Sequence, residues 1–451
     1  MKPLQNAAAA ICLGISLFAF QPVRASAAAD VNAQQSGALS GGGLYVVRHD
    51  GTVGNAVIEL WFRAPGAGYD GAHPGLSRLA VTAVAASRPA AHDTSLAEAV
   101  QLVGGRLSIA AYPDIVTVGA SVPAPAAAKI VRAMTRAYFT AQISPEAFKS
   151  ARRDAALAVA EKHYSADRTI HDLLFAQLFA SGPAHYPPTP DTVQAVDTIA
   201  LDQTQTFARR AFRRGNAVLT LAGNVDPHVT GNVWQPSASA ASASSPPSAS
   251  MDRPFDSMPG SAPKDASQAG AVAGAGLAWI GPAITNARAD TALDFVADYL
   301  FNADSGLVTK TADAIDPDAF INGQFVTLHD PGVMLVTISS AKSSVALRQK
   351  VLDALASLQR PLDASAFAAA RNAFEYHILS NVQTPVNQAD NFGWYAVEGN
   401  PQYAPGDASR TYVTNVESLD PQFVAQVVRQ YLQHPVAVEL TPAAHSQEGA
   451  Q

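Results

Sequence analysis

An interruption near the middle of the chain constrains the fold most. Residues 236–270, PSASAASASSPPSAS through APKDASQAG, are Ser, Ala and Pro with scarcely an apolar anchor. Such a stretch cannot bury enough surface to offset its ordering entropy, so it reads as a flexible linker. It splits the 451 residues into two parts, each long enough to build its own core.

The two parts run in the same order. In the first, LYVVRHD and NAVIELWFRA are strand-like and flank the turn GTVG, which predicts a hairpin. Helices follow at 75–87, over GLSRLAVTAVAAS, and at 92–103, where Gly104-Gly105 gives a stop. RLSIAAYPDIVTVGASVP reads as two strands about Pro113-Asp114. Helices are predicted near 124–140, 145–163 and 168–181; after the Pro-rich loop HYPPTP come a helix near 201–213 and the strand NAVLTLAGNV. In the second part AVAGAGLAWIG is a strand, ARADTALDFVADYLF an amphipathic helix, and GQFVTLHDPGVMLVTIS a hairpin on an Asp-Pro-Gly turn. SVALRQKVLDALASLQ, SAFAAARNAFEYHILS and FVAQVVRQYLQ are helices, and PVAVELTP is the closing strand. Both parts open on a strand, carry helices mid-way and close on helix then strand. The fold class is therefore α+β, as two tandem duplicated domains.

The first residues read as an address. Lys2 precedes the apolar run AAAAICLGISLFAF, and PVRASA supplies small residues, so residues 1–27 are expected to be a secretory signal cut after Ala27. The run is short for a membrane span. The one cysteine, Cys12, lies inside it, so the exported chain offers neither a disulfide nor a thiolate ligand. Export to a periplasm is the expectation, with no membrane attachment after cleavage. Residues 28–42 read as a flexible leader and 443–451 as a tail. A formal charge of -7 and the lack of any Lys/Arg run argue against nucleic acid as a partner.

Three stretches resemble the pitrilysin/insulinase (M16) family of zinc peptidases: HPGLSRLA after a Gly-rich turn, EAVQLVGGRLSIAAYPDIVTV, and HYPPTPDTVQAVDTIALDQTQTFARRAFRRGNAVLTLAGNVD. The resemblance implies an N-terminal M16-like domain over 43–235 and a C-terminal one over 271–442, each an α/β-sandwich of the LuxS/MPP-like kind. Active members carry H-x-x-E-H on the first helix, the inverted zincin signature. Histidines at i and i+4 share a helix face and grip one zinc, while the glutamate takes the proton from the metal-bound water. Matched on Gly75-Leu76-Ser77, those histidine positions fall on Arg78 and Thr82, and the base position falls on Val81. Arg78 has no lone pair to offer a metal, and Val81 cannot accept a proton. Glu161, in AVAEKHYSADR, is where the family's later ligand glutamate falls; it is read either as a vestige of that ligand or as a solvated helix residue. The family's zinc is thus expected to be absent, and no other cofactor is implied.

A displaced site finds no support among the residues. His73, His92, His163 and His171 form no i, i+4 pair with an acid between them, and no serine lies in G-x-S-x-G. Partner chains of the family contribute an Arg and a Tyr from the C-terminal domain. Here Ser305-Gly306-Leu307 resembles the Ser-Arg-Leu start of that region, but arginine is absent and Phe320 stands near the tyrosine's place. Peptide binding is the activity that could survive. In the family the strand after Gly-Gly is an exposed edge to which substrate adds as an extra strand, through main-chain hydrogen bonds. That edge would be Leu107, Ser108, Ile109, Ala110 and Ala111; the competing reading is an ordinary strand paired within its own sheet. The expectation is an exported, non-catalytic subunit that encloses peptides, paired with an H-x-x-E-H-bearing M16 chain as a heterodimer or with itself. The alternatives are a stand-alone peptide-binding or assembly pseudoenzyme and, behind it, an active metalloendopeptidase with relocated ligands.

Overall fold

The computed structural model describes residues 34–39, 42–63, 66, 70, 72–90, 92–162, 164–179, 192–226, 228, 266–270, 273–328, 331–340, 342, 344–398 and 408–442. The expected signal (1–27), the tail (443–451), the loop HYPPTP, His163 and linker residues 236–265 lie outside them. In the first half the elements are β1 (Gln34–Ala38), β2 (Leu44–His49), β3 (Asn55–Arg63), α1 (Leu76–Ala86), α2 (Leu96–Leu102), β4 (Arg106–Ala111) and β5 (Ile115–Pro123). They continue through α3 (Ala127–Thr140), α4 (Pro145–Lys162), α5 (Ala166–Leu178), α6 (Val193–Thr198), α7 (Leu201–Ala211) and β6 (Ala217–Gly223). The second half holds β7 (Ala266–Gly270), β8 (Gly274–Ile280), α8 (Ala287–Phe301), α9 (Leu307–Ile315), β9 (Phe320–Val326) and β10 (Val333–Ser339). Then follow α10 (Ser344–Leu358), α11 (Ala364–Asn381), α12 (Pro385–Glu398), α13 (Ala408–Glu417), α14 (Pro421–Tyr431) and β11 (Val436–Pro442).

Two mixed sheets result, ordered β1-β2-β6-β3-β5-β4 and β7-β11-β8-β10-β9. Apart from β1, which the second sheet lacks among the described residues, they correspond strand for strand. β2 lies parallel to β6 as β7 lies parallel to β11, and β3 and β8 are each flanked by antiparallel partners. The helices correspond too, α1 to α8 through α7 to α14, so the duplication seen in the sequence is a duplication of topology.

Three local expectations need correction. β2 and β3 do not form a hairpin, because the closing strand β6 inserts between them and pairs with both. Residues 51–54 bridge that gap of about two strand spacings, roughly 10 Å, with the Asp50 carboxylate accepting from the Thr52 N–H at 2.9 Å and its hydroxyl at 2.6 Å. Inside the stretch expected as a flexible leader, Gln34–Ala38 pair with β2. At the end of the expected linker, Ala266–Gly270 pair with β11. Both segments are polar or small, and what orders them is main-chain pairing, which composition does not reveal. The helix stop at Gly104 is as read: its φ of 71° is left-handed, a conformation glycine adopts without steric cost.

Each sheet buries both faces. In the first, Ile58, Leu60, Phe62, Val118 and Leu219 face Leu79 and Val84 of α1, Val100 of α2 and Met134 and Tyr138 of α3. In the second, Leu277, Trp279, Met334 and Val336 face Leu293, Val296 and Leu300 of α8 and Val424 and Val428 of α14. The opposite face of each sheet is covered by a helix from the other half. α5 lies on β8, β10 and β11, and α12 lies on β3 and β6. Ile170 and Leu174 of α5 pack with Ala278, Leu335 and Val438; Val397 of α12 packs with Trp61, Ile115 and Val218.

The exchange is fitted at glycines. A Cβ on Gly276 would meet Ile170 Cγ2 at 2.2 Å, and one on Gly393, inside α12, would meet Trp61 Nε1 at 2.0 Å. Beside Gly393, Trp394 stands edge-on to Trp61 (centroids 6.3 Å) and to Tyr112 (5.0 Å). Arg63, at the end of β3, donates to the carbonyls of Val397 (3.0 Å) and Ala396 (3.1 Å), which ties the sheet to the negative end of α12. Substituting Gly393→Ala should therefore cost about 1–3 kcal/mol through overpacking against a fixed indole. Gly54→Ala, where a Cβ meets nothing within 4 Å, should change stability by less than about 0.5 kcal/mol. Denaturant unfolding of both variants checks the contrast.

Candidate functional site

The helix matched to the zinc motif is built to pack. Gly75 precedes α1 in a left-handed turn, φ 92°, and offers no side-chain cap. Asp70 takes that role: its carboxylate accepts from the Gly75 N–H and the Ser77 N–H, both at 2.8 Å. These are N–H groups a helix start leaves without intrahelical partners, and a carboxylate there also complements the helix dipole. Leu76, Ser77, Leu79, Ala80, Val81, Ala83, Val84 and Ala85 are buried.

The three motif positions then separate. Arg78 is exposed. Thr82, one turn on, spends its hydroxyl on the Arg78 carbonyl at 2.9 Å. Val81 is fully buried in the core, and its carbonyl accepts from the Tyr138 hydroxyl at 2.7 Å. Glu161 is exposed near the end of α4. A guanidinium, an isopropyl group, a committed hydroxyl and one solvated carboxylate do not make a donor set for zinc. Among the described residues no group of three or more His, Asp or Glu side chains is placed to hold a metal ion.

The remaining candidate histidines are dispersed. The His73 ring nitrogen Nε2 lies 3.0 Å from Gln203 Nε2 on α7. His92 is exposed. His171 stacks on Phe175, centroids 4.6 Å apart, with Asp172 beside it. In the second half the Ser305 hydroxyl donates to Asn302 Oδ1 (3.0 Å), Gly306 and Leu307 begin α9, and Phe320 opens β9 at 59% exposure.

β4 is one edge strand of the first sheet, β1 being the other, and among the described residues it pairs with β5 alone. Leu107, Ile109 and Ala111 pack toward the α1–α3 core, so alternation turns Ser108 and Ala110 to the opposite face. The outer rim of such a strand carries unpaired main-chain donors and acceptors. From Ser108 a row of side chains crosses the sheet through Gly119, Glu59 and Thr220 to Val46, as the strand registers dictate. A Cβ on Gly119 would lie 2.5 Å from Ser108 Oγ and 3.4 Å from Glu59 Oε1.

Glu59 is the residue that sequence reading missed. It is 5% exposed, mid-strand, under α12. Its carboxyl accepts from Trp61 Nε1 at 3.1 Å and Thr220 Oγ1 at 3.4 Å, and it shares a hydrogen bond with the Asp390 carboxyl of α12. Burial first, then the charge of Asp390, pushes Glu59 up to about 8; burial also raises Asp390. A lone carboxylate inside NAVIELWFRA was the available signal. The second half has a matching cluster: burial and then Asp294 raise Asp290, and burial pushes Asp294 up to about 7 although the Tyr412 hydroxyl donates to it at 2.7 Å.

Comparison with solved structures decides the architecture. A protease from Helicobacter pylori superposes with a TM-score of 0.77 at 15% identity, over 91% of this chain and 100% of that one. The fold is that of M16-like peptidases. An M16-like peptidase from Alicyclobacillus acidocaldarius gives 0.71 at 15% identity, covering 91% and 99% of the two chains. An inactive peptidase M16 domain from Pseudomonas fluorescens gives 0.70 at 14%, covering 91% and 98%. No family model matches the sequence, and no curated protein matches it. The likeness is thus one of fold. Replacing Asp70 with Ala should cost about 1–2 kcal/mol, the range for losing a helix N-cap, read as a lowered denaturant midpoint with an unchanged m-value.

Proposed function

We propose that this chain is an exported, non-catalytic M16 peptidase-like subunit that binds extended peptides along β4 and pairs with a zinc-bearing chain of the same fold. The observation that carries the reading is the state of α1. Its motif positions hold Arg78, Val81 and Thr82, with Val81 in the core and the Thr82 hydroxyl committed to the helix backbone. General-base assistance is worth about a hundred- to ten-thousand-fold in rate, and Val81 supplies none. The likeness to an inactive M16 domain favours the same reading. Peptide capture at β4 needs no side-chain identity, because strand addition draws affinity from main-chain hydrogen bonds. Ser108 and Ala110, small residues on the face away from the α1–α3 core, leave that approach open.

Purified chain should carry no stoichiometric zinc and hydrolyse no peptide, and hydrolysis should appear on mixing with an H-x-x-E-H-bearing partner. One zinc per chain by elemental analysis after mild dialysis would overturn the non-catalytic reading. Peptide binding by a chain that forms no complex with any such partner would favour the stand-alone module. Calorimetric titration tests the edge: N-methylation of alternate peptide bonds should abolish binding to the chain, whereas scrambling the side-chain order should change Kd by less than about tenfold. Equal losses from both changes would count against β4.

A further inference from the structure

The exchanged helix α12 has carboxyl groups against two of its sides. Toward the first sheet, Asp390 meets Glu59, which is held from beneath by Trp61 and Thr220. Toward the second half, Tyr395 packs on Tyr412 of α13, centroids 5.8 Å apart, and the Tyr412 hydroxyl donates to Asp294 beside Asp290. Asp290 is 2% exposed; its Oδ2 accepts only a long bond, 3.5 Å, from Thr327, and its Oδ1 has no hydrogen-bond partner. In each cluster one carboxyl group is buried, Glu59 in the first and Asp290 in the second, against a partner that is exposed (Asp390) or half-buried (Asp294), and a charge on that partner makes ionising the buried group costlier still.

Among the described residues, no Lys or Arg makes an ion pair with either pair of carboxyl groups. Arg63, two residue pairs along β3 from Glu59, is bound to the last carbonyls of α12 and faces Glu398. On the same sheet face alternation places Arg48 of β2 and Arg106 of β4, each one register row away from Glu59. The Tyr112 hydroxyl is raised by burial and by the charges of Asp390 and Glu59, so it remains neutral alongside them. On α8, Arg288 is paired with Asp420 at 3.1 Å and Asp298 with His377 at 3.0 Å.

We propose that α12 is a proton-dependent clasp between the two halves, seated while the carboxyl groups against its sides hold protons and loosened as they ionise. The direction follows from proton linkage. Glu59 titrates near 8 when α12 is seated and near 4.5 when it is free in water. Between those values the seated state binds more protons than the opened one, so its stability falls as pH rises through that window and is level above it. Asp390, Asp290 and Asp294, all raised, act in the same direction. The counterpart helix α5 is built differently: Asp172 lies against Lys162 and Asp167 accepts from the Thr337 hydroxyl. It serves as an internal control.

Hydrogen exchange of the full chain, followed by mass spectrometry at pH 5, 7 and 9 and corrected for intrinsic rates, tests the clasp. Protection over 385–398 should fall at least about tenfold more than protection over 166–178 between pH 5 and 9, since each unit of displaced titration is worth about tenfold in opening. Glu59→Gln and Asp390→Asn, which keep the hydrogen-bonding shape without the ionisation, should each shrink that fall. Equal falls in the two helices of the unaltered chain would overturn the proposal, whether or not a variant folds. So would a folded Glu59→Gln variant that keeps the whole fall.

Discussion

Reciprocal cover of the two sheets is the constraint on which the rest of the structure depends. β3 is buried on both faces because the α1–α3 core takes one and α12, from the other half, takes the second. β8 and β10 are treated in the same way by α5. A strand with both sides apolar cannot face water on either, so neither half completes its own sandwich. The duplication therefore has a physical consequence: two copies of one topology become mutually dependent once each lends its fifth helix. Glycine at 276 on a strand and at 393 on a helix lets these lent helices approach closely, with Ile170 on one side and Trp61 on the other filling the space a Cβ would need.

Legibility followed the range of the interactions. Elements whose stability is local or periodic could be read: ARADTALDFVADYLF is α8 to the residue, and the Gly104 stop is where its left-handed φ places it. The repeated order of elements was visible as well, since each copy keeps its own pattern. What escaped reading depends on partners far along the chain. PVNQADNFGWYAVE carries Asn387, Asp390, Asn391 and Gly393 and shows no strong apolar stripe, yet it is α12, because the surface it covers belongs to β3 and β6. The β2–β3 turn looked like a hairpin for the same reason. Nothing near GTVG announces that a strand starting at Ala217 will enter between its arms.

The site was readable at the level of missing chemistry and less so at the level of geometry. That Arg78 and Val81 cannot serve a metal follows from their side chains alone. That Asp70 caps the helix from five and seven residues upstream depends on the path of the turn between them, and that Glu59 meets Asp390 across the two halves depends on tertiary contact, so neither could be seen without the fold. A carboxylate in the middle of an apolar strand was the one local clue. Buried ionisable groups of this kind mark function more often than chance, and here the mark falls on the helix that joins the halves.

The two observations on α1 and α12 bear on each other. In α1 position 78 is exposed and position 82 half-buried, and neither belongs to the core, so the fold constrains their chemistry little. Position 81 is different: Val81 packs among Leu79, Val84 and Tyr138 with no exposed surface. A glutamate placed there would enter an apolar site, where burial favours the protonated acid, a state that cannot accept the proton of a metal-bound water. Supplying two histidines alone would thus leave the base position committed to packing. What the fold requires of α1 is packing: position 81 serves the core, position 78 faces solvent, and position 82 lies between them with its hydroxyl on the helix backbone.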